Sequence, residues 1–105
     1  MVALYYLLVY DKLMKWTVTE RRSLNKQIRK LPEKVQNILI ALKKDMEING
    51  PIRGDWPNFS ALSGARYHCH LKKGRPTYVA IWEITDKEIK LIEVTYAGTH
   101  EKAPY

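Results

Sequence analysis

The apolar residues in the first half of the chain recur with a helical period. Leu24, Ile28 and Leu31 fall at i, i+4 and i+7, which predicts a short helix with one narrow apolar stripe. A longer helix follows, with five apolar residues at helical spacing: Val35, Ile38, Leu39, Leu42 and Met46. The pattern therefore predicts two consecutive amphipathic helices.

Capping and breaking residues mark the ends of these helices. Thr19 is the predicted N-cap of the first helix, and Glu20 lies in its first turn, where the positive helix end favours an anion. Pro32 suits the first position of the second helix. Gly50 and Pro51 end that helix, because glycine adopts the left-handed terminal conformation and proline cannot continue a helix. The two helices are expected to form a tight hairpin.

The second half of the chain alternates with a period of two, which is typical of strands. A linker over 51–65 is expected to anchor in the core through Trp56, Phe59 and Leu62. The predicted strands are 15–18, 66–71, 77–84 and 89–96. The predicted fold is therefore α+β. It has a short first strand, a helical hairpin and a three-stranded antiparallel meander, which forms a small sheet with helices on one face.

The predicted strand at 66–71 has a core face and a basic face. Its core-facing residues are Tyr67, Cys69 and Leu71. The opposite face carries two imidazoles between two cations, in the order Arg66, His68, His70 and Lys72. Such groups on an open sheet face suit a phosphodiester, because one can transfer a proton while others neutralise charge.

Charge and cysteine content narrow the possible partners. The 105 residues carry a net charge of +7, which favours nucleic acid, an anionic membrane or an acidic protein. The outer face of the helical hairpin is basic and is either a solvated surface or a partner-binding one; it carries Arg21, Arg22, Lys26, Arg29, Lys30 and Lys34. The single cysteine excludes an internal disulfide and fits a reducing cytosol.

The first 14 residues are expected to be an N-terminal extension without an assigned role. Residues 2–10 are nearly all apolar but fall far short of the ~20 residues that a transmembrane helix needs. No basic residue precedes them and no small-residue cleavage site follows, which argues against a signal peptide. Met14 would make a plausible initiator immediately before the first predicted strand.

The order of elements and a set of short motifs resemble the RelE/ParE superfamily of toxins from type II toxin–antitoxin systems. The resemblance covers residues 15–105, the predicted toxin domain. It rests on Lys30-Leu31-Pro32, Trp56-Pro57-Asn58, Leu62-Ser63-Gly64, Tyr67-His68-Cys69-His70-Leu71, Tyr78-Val79-Ala80-Ile81-Trp82-Glu83-Ile84 and Tyr96-Ala97-Gly98-Thr99-His100-Glu101.

The resemblance to the RelE branch implies a cytoplasmic, ribosome-dependent mRNA endonuclease that a cognate antitoxin inhibits. Such enzymes use no metal or other cofactor and drive the 2′-hydroxyl onto the neighbouring phosphate. No membrane partner is expected, and contact with DNA is expected only through the antitoxin complex.

The resemblance also implies the site residues. RelE-like toxins have two basic residues two positions apart on the second strand, which His68 and His70 match, and a basic residue after the last strand, which His100 matches. Tyr105 is the nearest match to a tyrosine close to the C-terminus. The arginine that RelE carries early in the third strand aligns with Val79, so another cation must stabilise the transition state. The candidate cations for that role are Arg66, Lys72 and Arg75. The residues expected to bind RNA phosphates are Arg66, Lys72, Lys73 and Arg75.

Three other interpretations remain open. His68, His70 and His100 could instead bind zinc, since imidazoles from adjacent strands can converge on one metal. A ParE-like toxin that acts on DNA gyrase and a non-catalytic basic nucleic-acid-binding domain are the other two. His100 can reach the other histidines only if the chain turns back over their face, which Gly98 is expected to permit.

Overall fold

The structure is a computed structural model that describes residues 16–105. The predicted extension at 1–14 and the first residue of the predicted strand at 15–18 lie outside the described residues. The described elements are β1 (Thr17–Glu20), a 3-10 turn (Arg22–Leu24), α1 (Asn25–Arg29), α2 (Glu33–Asn49), β2 (Ser60–Ala61), β3 (Arg66–Lys72), β4 (Tyr78–Asp86), β5 (Leu91–Thr99) and a closing 3-10 turn (His100–Lys102).

The strands form one sheet in the order β1-β5-β4-β3-β2. The predicted antiparallel meander is present as β3, β4 and β5. β1 pairs in parallel with β5 at one edge, and β2, which lies in the predicted linker, pairs with β3 at the other. The predicted α+β class is confirmed. Among residues 16–105, no helix is long and apolar enough to span the bilayer.

The helical layer covers one face of the sheet through α2. The predicted stripe is buried at Val35, Leu39, Leu42 and Met46, while Ile38 packs partly buried at its margin. The sheet contributes its own fully buried residues to this core, namely Cys69, Ala80, Trp82, Ile92, Val94 and Ala97. Burial raises the pKa of the Cys69 thiol to about 12, so this residue behaves as the small buried hydrophobe that strand parity predicts.

A smaller apolar cluster lies on the opposite face of the sheet. Val79 and Ile81 of β4 pack there with Tyr96, and Leu62 and Ala103 cover them. β4 is therefore covered on both faces, as its continuous apolar sequence predicts. Of the three predicted anchors, Trp56 and Phe59 pack against the helical-face core, whereas Leu62 packs on the opposite face.

The predicted N-cap at Thr19 is wrong, because Thr19 and Glu20 belong to β1. The Thr19 hydroxyl donates to the carbonyl of Ile92, 3.3 Å away, and Glu20 pairs with Lys43 of α2. Helical backbone begins only after Arg21. Pairing with β5 supplies hydrogen bonds along this whole segment, which outweigh one capping bond.

The last strand runs from Leu91 to Thr99, later than the predicted 89–96. The turn before it is also later than predicted, because β4 continues through Asp86. The Asp86 carboxylate accepts the backbone N–H groups of Glu88 and Ile89 at 2.9 and 3.1 Å, and thereby holds the turn.

Candidate active site

His68 and His70 lie side by side on the sheet face away from α2. His68 pairs with Ile81 and His70 with Val79, both in the neighbouring strand β4. The centroids of the two imidazole rings are 6.0 Å apart. Cys69, between them, is fully buried on the helical face. The alternation of the sequence therefore predicted this pair correctly.

A bulge interrupts the alternation of β3 after His70. Leu71 is the extra residue, so Lys72 pairs with Tyr78, whose ring packs against the helical-face core. The predicted alignment of Lys72 with the two histidines is therefore wrong. Arg66 keeps its place in the row, but its guanidinium is bound to the carbonyl and hydroxyl of Ser63 at 2.9 and 2.8 Å.

A second bulge turns the end of β5 toward the histidine face. Val94 pairs with Trp82, but Tyr96 pairs with Ile81, so Thr95 is the extra residue. Side chains opposite each other across antiparallel strands share a face, which puts Tyr96 on the face that carries His68. The alternation of β5 is therefore reversed beyond Thr95.

The closing turn brings His100 to the histidine pair. Its ring centroid lies 5.6 Å from that of His70, and its backbone N–H donates to the carbonyl of Thr77 at 2.8 Å. Gly98 does not supply this turn, contrary to expectation, because it lies within β5. A Cβ at Gly98 would lie 2.5 Å from Gln27 Nε2 and 2.7 Å from the Tyr96 hydroxyl. A side chain at this position would have to displace the ends of the Gln27 and Tyr96 side chains.

Tyr105 completes a group of four rings, which we call the ring cluster: His68, His70, His100 and Tyr105. The Tyr105 ring lies 4.7 Å from that of His68 and 5.8 Å from that of His100. Burial, and to a smaller extent the nearby Tyr96, raises the pKa of Tyr105. Its hydroxyl therefore stays protonated near neutral pH and can donate a hydrogen bond.

A cleft of about 500 Å³ opens beside the ring cluster. It is lined by His70, Gly74, Arg75, Pro76, Thr77, His100 and Glu101. Arg75, a predicted phosphate-binding residue, is thus in the same cleft as two of the three histidines. Glu101 also lines the cleft and was not among the predicted site residues. Its position depends on the closing turn, which no local sequence pattern predicts.

His70 is partly buried, and its surroundings disfavour its charged form. Burial is the main cause that lowers the pKa of His70, and the charges of His100, His68 and Lys73 add to it. Its Nδ1 atom is buried and has no hydrogen-bond partner among the residues that the structure describes. The ring is therefore neutral near pH 7 and available to accept a proton. Lys73, predicted to bind phosphate, is close enough for its charge to act on this ring.

The zinc interpretation finds no ligand set in the described part of the chain. Within residues 16–105, no three His, Cys, Asp or Glu side chains converge in an arrangement that could hold a metal ion. The three imidazoles instead meet edge to face, with interplanar angles of 62° and 69° between neighbours.

Comparison with known proteins identifies the fold. No protein-family model and no curated protein sequence matches the chain. Among solved structures, it is similar to a chain in the crystal structure of the archaeal RelE–RelB complex from Pyrococcus horikoshii, with 16% sequence identity and a TM-score of 0.65. The match covers 86% of this chain and 100% of that one. We conclude that this chain has the RelE-like fold that its motifs predict.

Proposed function

We propose that this protein is the toxin of a type II toxin–antitoxin system and cleaves mRNA on translating ribosomes in the cytoplasm. The observation that carries the proposal is the ring cluster, in which three imidazoles and a phenol meet beside a cleft that holds Arg75. The RelE-like fold supports the toxin class. Because the similar solved structure is a RelE–RelB complex, an antitoxin is the expected protein partner.

The proposed reaction uses the substrate's own 2′-hydroxyl as the nucleophile. Neutral His70 accepts the proton of that hydroxyl, and the 2′-oxygen attacks the adjacent phosphorus. The bond from phosphorus to the 5′-oxygen breaks, and that oxygen takes a proton from His100, the more exposed imidazole that lines the same cleft. The products are a 2′,3′-cyclic phosphate and a 5′-hydroxyl. The proposed reaction uses no metal or other cofactor.

Charge on the phosphorane requires cations close to the two histidines. Arg75 lines the cleft, and the charge of Lys73 acts on His70, so these two are the proposed stabilising groups. Arg66 lies at the far end of the histidine row, and Lys72 lies off it. We assign them to phosphates further along the RNA.

Controlled expression without an antitoxin tests the proposal. Induction should stop growth and generate new mRNA 5′ ends at positions of translating ribosomes, whereas His70→Ala and His100→Ala should restore growth. Normal growth with accumulation of folded wild-type protein would contradict the toxin assignment. Growth arrest with intact mRNA and inhibited gyrase would instead favour the ParE-like alternative.

A further inference from the structure

Ser60 lies outside the ring cluster but is bonded to one of its members. It belongs to the two-residue strand β2 and stands directly opposite His68 in the register of β2 and β3. The distance from Ser60 Oγ to His68 Nδ1 is 2.9 Å, which is a well-formed hydrogen bond. The hydroxyl therefore contacts the ring of a candidate active-site residue from the edge of the sheet.

The backbone around Ser60 is fixed on both sides of this bond. Before β2, the carbonyl of Pro57 accepts the N–H of His70 at 2.8 Å. After β2, the N–H of Leu62 donates to the carbonyl of Arg66 at 2.8 Å. Ser60 is thus held against β3 by neighbours that do not depend on its own side chain, and the short strand delivers one hydroxyl to His68.

We propose that Ser60 is a positioning residue that donates its O–H to His68 Nδ1 and keeps the ring proton on Nε2. A neutral imidazole has one nitrogen that accepts and one that donates. Donation by the serine occupies the accepting nitrogen, so Nε2–H becomes the ring's free group. An N–H there attracts the oxygens of a bound phosphate, whereas a lone pair there would repel them.

The bond between Ser60 and His68 gives the two histidines of β3 different roles. This interpretation rests on the proposed nuclease function. His68, with Nδ1 occupied, holds a phosphate oxygen through Nε2–H. The buried Nδ1 of His70 has no hydrogen-bond partner among the described residues, so no bond holds a lone pair there, and Nε2 can accept the 2′-hydroxyl proton. Ser60 acts on the reaction only through the orientation and tautomer of His68.

The tautomer can be measured by NMR on the full chain without any substrate. Long-range ¹H–¹⁵N spectra at neutral pH should show a pyridine-type Nδ1 and a pyrrole-type Nε2 for His68. In Ser60→Ala the two signals should move toward the average of a tautomer mixture, and Ser60→Thr should restore them. Ser23→Ala, the same change at an exposed serine of the first 3-10 turn, serves as the control and should leave His68 unaltered.

Activity provides a second and separable readout. Loss of the bond in Ser60→Ala should lower mRNA cleavage by about 10-fold, the scale of one hydrogen bond, and Ser60→Thr should recover it. A protonated Nδ1 in the wild type, or a His68 spectrum unchanged by Ser60→Ala, would overturn the proposal. A wild type with the predicted tautomer but no cleavage would overturn the nuclease function while the assignment of the ring stands.

Discussion

The histidines of the ring cluster share one face of the sheet but have different surroundings. His70 is buried at Nδ1 without a described partner, His68 is bonded there to Ser60, and His100 is exposed. An imidazole serves as base, acid or hydrogen-bond donor according to which nitrogen is free and how costly its charge is. The residue-scale differences thus suggest three different roles for one side-chain type.

His70 should titrate below the ordinary histidine pKa of about 6.5. Its cation is disfavoured mainly by burial and then by neighbouring positive charge, so Lys73→Gln should raise the midpoint toward the ordinary value. The acidic limb of the cleavage rate, which requires neutral His70, should move to higher pH in the same variant. NMR titration of the ring protons measures the midpoint directly.

Lys44→Gln is the matched control for this titration, because Lys44 is exposed on α2, on the other side of the sheet. It should leave the His70 midpoint in place. The depressed pKa also predicts that stability falls as pH decreases through and below about 6.5, where the unfolded chain binds the proton more readily. A wild-type midpoint at or above 6.5 would contradict the environment described for this ring.

At the scale of elements, local sequence patterns predicted the features that depend on the spacing of apolar residues within one helix or strand. The stripe of α2, the core face of β3 and the double coverage of β4 follow from apolar spacing alone. The N-cap at Thr19 failed because its hydroxyl bonds a residue 73 positions away in β5, a partner that no local window contains. The bulges at Leu71 and Thr95 were also missed, because each is defined by the opposite strand.

The same distinction between local patterns and long-range contacts applies to the candidate site. Parity placed His68 and His70 together, since both lie on one strand. Strand parity could not place His100 and Tyr105, which were assigned to the site through the resemblance, because their approach depends on the closing turn and on its bond to Thr77. The bond from Ser60 could not be foreseen, since the two-residue β2 has no strand signal of its own.

Substitution of Gly98 tests how closely the end of β5 packs against its neighbours. Alanine there would press on Gln27 and on the Tyr96 hydroxyl, which donates to the carbonyl of Thr99 at 2.7 Å next to His100. Gly98→Ala should therefore lower the free energy of unfolding by about 1–3 kcal/mol, the usual cost of overpacking, as measured by urea denaturation.

Gly54→Ala is the control for this substitution, since nothing lies within 4 Å of a Cβ at that position. It should change stability by less than about 0.5 kcal/mol. Equal stability of the two variants would show that β5 tolerates a side chain at 98. The packing of β5 against Gln27 and Tyr96 would then not depend on glycine at this position.

At the scale of the whole molecule, the sheet separates two surfaces. The helical face is closed by α2, and the opposite face carries the ring cluster and the cleft. Under the proposed function, the net charge of +7 favours the binding of RNA in general, whereas cleavage depends on the described groups at the cleft. Binding and cleavage should therefore respond to different substitutions.

Arg75→Ala should weaken RNA binding and flatten its dependence on salt. Loss of one phosphate contact on a single strand changes the log–log slope by about 0.7. Binding of a short RNA, measured by fluorescence anisotropy from low to moderate salt, gives both affinity and slope. Lys44→Ala removes one positive charge from the helical side and should leave the slope nearly unchanged. Identical slopes for Arg75→Ala and the wild type would place Arg75 outside the RNA-binding surface.

The most direct test of the central claim is the rate of mRNA cleavage on programmed ribosomes by wild type and His70→Ala. A zinc-selective chelator that leaves the ribosomal magnesium in place should be present throughout. The wild type should cleave and leave a 2′,3′-cyclic phosphate on the upstream fragment. His70→Ala should be slower by ~10²–10⁴-fold, the usual contribution of positioned proton transfer, with RNA affinity retained. Cleavage at the wild-type rate by His70→Ala, or activity lost to the chelator and restored by zinc, would contradict a metal-independent histidine site.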